Sequence, residues 1–136
     1  MGQVLVSGTK RGVTQALILL GAVLIVVSGV EHLHLWDIAY RHVATLGPLF
    51  VVQGIASLVL GLTLAGIRRL VVVLAGLAMM VGTIVGFVLV LTTGLFGFKL
   101  GFVSGLAYLI LVVEIAAVLV LGAAGWLMLQ ENRPKP

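Results

Sequence analysis

Four long apolar runs separated by short polar breaks set the pattern of this chain. They cover residues 13–30, 48–67, 70–96 and 102–129. Each approaches or exceeds the roughly 20 residues that a helix needs to cross a hydrocarbon core. Backbone groups in lipid find no water to bond, so runs of this length predict helices whose hydrogen bonds are internal. A β-barrel would need alternating strands of about ten residues, and that alternation is absent. The pattern predicts an all-α, polytopic membrane four-helix bundle, a single integral membrane domain over residues 1–136. Lys10 and Arg11 precede the first run as they would in a signal peptide. The run is too long for a signal core and lacks an A-x-A cleavage site, which predicts a retained helix.

Composition agrees with this class. Apolar residues make up 62% of the chain and charged residues 9%, where soluble domains carry about 25% charged residues. The absence of cysteine excludes disulfides, thiolate metal sites and iron–sulfur clusters. The net charge of +4 is explained by placement rather than by nucleic-acid binding. Lys10, Arg11, Arg68, Arg69, Arg133 and Lys135 fall on one side of the predicted bundle, and Arg41 and Lys99 on the other. The asymmetry predicts that both termini and the Arg68–Arg69 turn are cytoplasmic, and the expected localisation is the bacterial cytoplasmic (inner) membrane. The expected partners are the lipid bilayer and either other membrane subunits or a second copy of the chain.

Residues 51–61 read VVQGIASLVLG and residues 112–122 read VVEIAAVLVLG. The match suggests a tandem repeat of two helix hairpins, with Gln53 aligned on Glu114 and Gly21 on Gly82. Two copies running in the same direction would be related by an axis along the membrane normal. Chance similarity between Val-, Leu- and Ala-rich helices is the other explanation.

Small residues recur at helical spacing: Ser57, Gly61 and Ala65 on the second helix, Ala78, Gly82 and Gly86 on the third, Gly101 and Gly105 near the start of the fourth. Such faces allow close backbone approach. They predict packing within the bundle or docking of a partner.

Glu114 is the sharpest single residue. It lies about 11 residues into the fourth run, roughly 16 Å deep at 1.5 Å per residue. An ionisable group at that depth is costly and marks a functional site by default. Gln53, Thr83, Ser57 and Tyr108 are candidate partners. The roles open to Glu114 are a hydrogen-bonded residue that sets helix register, proton or cation coupling, and contact with a headgroup, cofactor or partner helix.

The first break, residues 31–42, reads EHLHLWDIAYRH and holds all three histidines. It predicts an interfacial cluster of Glu31, His32, His34, Trp36, Asp37, Tyr40, Arg41 and His42. Trp36 and Tyr40 suit headgroup level, with Leu33, Leu35 and Ile38 dipping into the apolar side. Asp37 and Arg41 are spaced for an ion pair. On a helix His32 and His34 point about 200° apart, so Glu31, His34 and His42 form the only candidate metal set, without a recognised ligand spacing. Bis-histidine haem ligation lacks a histidine on any other span. The reading is that no metal or cofactor is held. Pro48 suits the start of the second helix.

No nucleophile–base arrangement, phosphate loop or dinucleotide fingerprint is present, which points away from an enzyme. The strings HLHLW, YRHVATLGPLFVVQ and GLFGFK followed by LVVE resemble small four-helix membrane proteins of actinobacteria. The layout of nearly the whole chain is similar to the DoxX-like group. That resemblance implies a link to sulfur or quinone redox systems and a membrane partner. Small multidrug transporters share four helices and one intramembrane Glu. Theirs lies in the first helix, so no mechanism is carried over to Glu114.

Two functions follow. One is a non-catalytic accessory subunit of a larger inner-membrane complex of lipid-transport or respiratory type, which expects an apolar docking surface and no open cavity. The other is a small dimeric transporter or ligand-binding membrane protein, which expects a cavity reaching Glu114.

Overall fold

The computed structural model of the chain describes residues 2–134, so Lys135 lies outside the described residues. It shows four helices: α1 (Gly2–Leu35), continued by a π-helical turn over Trp36–Tyr40, α2 (Leu46–Gly66), α3 (Leu70–Thr92) and α4 (Gly105–Glu131). All four are long and apolar enough to cross a membrane.

The element boundaries differ from the sequence expectation where polar or glycine residues act locally. With no proline to stop it, α1 runs on in both directions from residues 13–30 and takes in Glu31–Leu35. Its 34 residues span roughly 50 Å, longer than a hydrocarbon core of about 30 Å. Residues 2–13 are exposed along this extension. The third helix stops at Thr92 rather than residue 96, because Gly94 and Gly97 take φ values of 87° and 79°. In the same turn Leu95 and Phe98 exchange backbone hydrogen bonds of 2.8 and 2.9 Å. The fourth helix starts at Gly105 rather than 102. There the Ser104 hydroxyl accepts from the Ala107 amide at 3.2 Å, the usual N-cap contact. Pro48 sits in the first turn of α2, where its missing amide costs no hydrogen bond.

α1 lies between α2 and α4, and α3 packs chiefly on α4. α2 and α3 are consecutive in the chain but touch far less than the other neighbouring pairs. The α1–α2 seam is made by small residues. A Cβ added at Gly29 would come within 2.8 Å of the Ser57 Cβ and 2.9 Å of the Gly54 carbonyl oxygen. One added at Gly61 would meet the Ala22 carbonyl at 3.0 Å and the Val26 amide at 3.3 Å. Backbones this close gain dispersion contacts that larger side chains would prevent.

Ser57 and Gly61 are therefore packing residues, as their spacing predicts. Ala65 and Ala78 are exposed instead, and a Cβ at Gly82, Gly86, Gly101 or Gly105 would meet nothing. On α3 the close contact is made by Gly76, against Ile25 and Leu121. Spacing alone cannot say how far each helix is rotated about its axis.

The buried apolar core gathers Ile18, Ala22 and Ile25 with Leu64, Val73, Met80, Ala117, Leu121 and Ala124. It occupies the half of the bundle nearer the termini. The half nearer the α1–α2 and α3–α4 connections is built differently.

Candidate ligand cavity at Glu114

Glu114 points inward from α4 and is 1% exposed. Its partners come from α1. The Ser28 hydroxyl donates to Glu114 Oε1 at 3.2 Å. His32, one helical turn beyond Ser28, places Nδ1 2.8 Å from the Ser28 carbonyl oxygen. Only a protonated ring nitrogen can donate to a carbonyl. This contact therefore assigns the proton to Nδ1 and leaves Nε2 facing Glu114 Oε1 at 3.8 Å. Gln53, Thr83, Ser57 and Tyr108, the partners expected from the sequence, do not bond to Glu114; Tyr108 is largely exposed.

Gln53 and Thr83 form a second polar group on the facing helices. The Gln53 amide nitrogen donates to Thr83 Oγ1 at 2.8 Å and to Ser57 Oγ at 3.4 Å. The Thr83 hydroxyl in turn donates to the Met79 carbonyl at 2.9 Å. With both amide hydrogens engaged, the free group of Gln53 is its carbonyl oxygen, an acceptor.

Both groups open into one cavity of about 420 Å³, within the range of about 300–1,000 Å³ typical of small-molecule sites. His32, Gln53, Thr83 and Glu114 give it a polar end. Leu49, Val52, Met79, Phe87, Val90 and Ile110 are among its apolar walls. Leu49, Val52 and Gly82 on its margin are also exposed on the outside of the bundle. The cavity therefore opens sideways through the gap between α2 and α3. Gly82 and Gly86, expected to pack against another helix, line this space instead.

An aromatic stack closes the end near the connections. Tyr40 stacks on Phe50 with ring centroids 4.5 Å apart and planes 13° apart. Phe98 meets the Tyr40 ring edge-on at 5.8 Å, and Phe50 lies 5.2 Å from the His32 ring. The two connections thus meet over the cavity through Tyr40 and Phe98.

The polar segment at residues 31–42 is not a single outward-facing cluster. His32 is buried beside Glu114, and Tyr40 is turned onto the cavity. Glu31 is half-buried, with Oε2 enclosed and without a hydrogen-bond partner among the described residues. His34 and His42 are exposed. Asp37 pairs with Arg41, as their spacing predicts, and the Arg41 guanidinium lies 5.3 Å from the Trp36 ring. That pair is exposed on both sides, where such bridges contribute little. Among the described residues no cluster of three His, Asp or Glu side chains could hold a metal ion, so Glu31, His34 and His42 are not brought together.

Ser28, Phe50, Met79 and Phe98 escaped the sequence reading. Ser28 did leave a signal: it is a hydroxyl inside an apolar run, four residues before a histidine on the same helical face.

The fold and site define a class: a bundle of four helices, each long and apolar enough to cross a membrane, around a largely apolar cavity with a small polar end. No family model, curated protein or solved structure matches the chain.

Proposed function

We propose that this is a ligand-binding protein of the bacterial cytoplasmic membrane. Its ligand is a lipophilic molecule whose polar head reaches Glu114 and Gln53. The observation that supports this most is the cavity of about 420 Å³ that ends on Glu114. An accessory subunit that serves only as a docking surface has no need of such a space. The sideways opening suits a molecule that arrives from the bilayer. The polar end offers acceptors in the Gln53 carbonyl and the Glu114 carboxyl, and so selects a head that donates hydrogen bonds. The sulfur- and quinone-linked role implied by the DoxX-like resemblance is not needed for this reading.

Purification in a mild detergent, followed by organic extraction and mass spectrometry, tests it. The wild-type protein is expected to carry a stoichiometric lipophilic compound. Glu114→Gln and Gln53→Leu should each reduce occupancy about tenfold, the effect of losing about 1.4 kcal/mol of contact. A preparation that holds no such compound but retains a second membrane protein would replace this reading with the accessory-subunit one.

The same proposal puts both termini in the cytoplasm, supported by Lys10, Arg11, Arg68, Arg69 and Arg133 at one end against Arg41 and Lys99 at the other. Because the chain has no cysteine, single introduced cysteines report topology directly. A membrane-impermeant maleimide added to intact spheroplasts should label His42→Cys and spare Asn132→Cys. The reverse pattern would invert the orientation.

A further inference from the structure

We propose a second site at the opposite end of the bundle, which binds a phosphate group through Arg11 and Arg69. A cleft of about 510 Å³ is lined there by Arg11, Arg68 and Arg69 together with Glu131 and Asn132. The single carboxylate is already committed. Glu131 Oε1 accepts from the Thr14 hydroxyl at 2.7 Å, and Oε2 accepts from Arg68 Nη2. The other terminal nitrogen of Arg68 reaches the Arg11 carbonyl at 3.3 Å and Gln15 Oε1 at 3.5 Å. Arg68 is thus a latch joining the α2–α3 connection to α1 and α4. Arg11 and Arg69 have no acidic partner among the described residues, so two guanidinium charges on this cleft are unbalanced.

The wall of the cleft adds to the imbalance. Leu70 and Val71, the first residues of α3, line the cleft, and this helix has no side-chain cap. The Val72 and Val73 amides bond to the Arg69 carbonyl at 3.0 and 3.2 Å. The two amides before them are left for an outside acceptor, as at any uncapped helix start. Guanidinium forks bind phosphate oxygens in pairs, and the positive end of the helix adds to their attraction. Exposed apolar residues, Val71 and Leu74, continue along α3 from the cleft. That continuity matches an anionic lipid whose chains follow the helix while its phosphate sits between the arginines. A free phosphate offers the same oxygens. The site lies at the far end of the bundle from Glu114 and does not depend on the cavity proposal.

The experiment is native mass spectrometry of the full chain in neutral detergent, titrated with phosphatidylglycerol or with phosphatidylcholine of matched chains. Thermal melts in inorganic phosphate or in chloride of equal ionic strength run alongside. The wild-type protein should retain phosphatidylglycerol about tenfold better than phosphatidylcholine, and Arg11→Gln/Arg69→Gln should bring the two to parity. The Arg11→Lys/Arg69→Lys variant keeps the charge without the fork and should fall between them. Phosphate raising the wild-type melting temperature, with no lipid preference, would assign the site to free phosphate. Two results overturn the proposal: no preference in either arm, or a lipid preference that survives in Arg11→Gln/Arg69→Gln. Both variants leave the Arg68–Glu131 latch intact, and helical circular dichroism checks that each is folded.

Discussion

Replacing Gly29 by valine is expected to disrupt the bundle. The added Cβ would lie 2.8 Å from the Ser57 Cβ and 2.9 Å from the Gly54 carbonyl oxygen. Ser57 is fully buried and Gly54 contributes backbone, so neither can move aside as a flexible side chain would. The helices must separate, and α1–α2 is the closest seam in the molecule. Overpacking a core costs about 1–3 kcal/mol in ordinary cases, and a clash with backbone belongs at the upper end or beyond. Denaturation in increasing SDS, followed by circular dichroism, should show a loss of roughly 3 kcal/mol. Gly54→Ala gives the internal comparison. Its nearest obstacles are Leu33 side-chain atoms at 2.5 and 2.7 Å, which can rotate, and the Gly29 carbonyl oxygen at 3.1 Å, which must give by only a few tenths of an ångström, so the cost of a single methyl should be smaller. If Gly29→Val unfolds at the wild-type SDS fraction, close backbone packing is not what holds α1 to α2.

Gly86→Leu should behave in the opposite way, leaving the fold intact while emptying the proposed site. A Cβ at Gly86 meets nothing within 4 Å, and the residue lines the cavity below the aromatic stack. Leucine is also a better helix former than glycine by about 1 kcal/mol, so stability should hold or rise. The new side chain occupies space that the ligand's apolar body needs. Occupancy by extracted lipophilic compound should fall by about tenfold or more, since filling a pocket removes contacts worth at least 1.4 kcal/mol. The circular dichroism spectrum and SDS midpoint should match or exceed those of the wild-type protein. Undiminished occupancy would mean that the cavity is not where the compound sits. Gly29 and Gly86 are both glycines in apolar helices, and only their neighbours give them opposite roles.

The sequence made much of the site visible and little of its wiring. Glu114 and Gln53 stand out because a polar side chain inside an apolar run is costly unless something satisfies it. The offset that aligns them predicted a meeting near an axis. In the structure they line one cavity from opposite sides and bond to different partners. Glu114 turns to Ser28 and His32, and Gln53 to Thr83 and Ser57. His32 was legible as a titratable residue near an interface, but its burial depends on α1 continuing as helix past residue 30. That continuation keeps His32 four residues along the same face from Ser28. The offset also aligns Gly21 with Gly82, and their surroundings differ. Gly21 packs on Leu121, while Gly82 opens onto the cavity.

What the sequence alone determined is the class of molecule: four apolar helices, short connections, and an excess of basic residues at one end. The helices and their breaks follow from the length and hydropathy of each segment, as a hydrocarbon core would demand of each helix separately, and the charge asymmetry follows from where the basic residues fall. The tertiary structure decided which faces meet. Outward-facing and core-facing positions are both apolar in this chain, so no hydropathy contrast encodes helix rotation. Close approach at Gly29 and Gly61 draws α1 onto α2, and Gly76 seats α3 beside Ile25 and Leu121. The gap left between α2 and α3 opens onto the cavity. It exists because three seams close tightly and the fourth does not, and that difference lies in the pairing of surfaces rather than in any one segment.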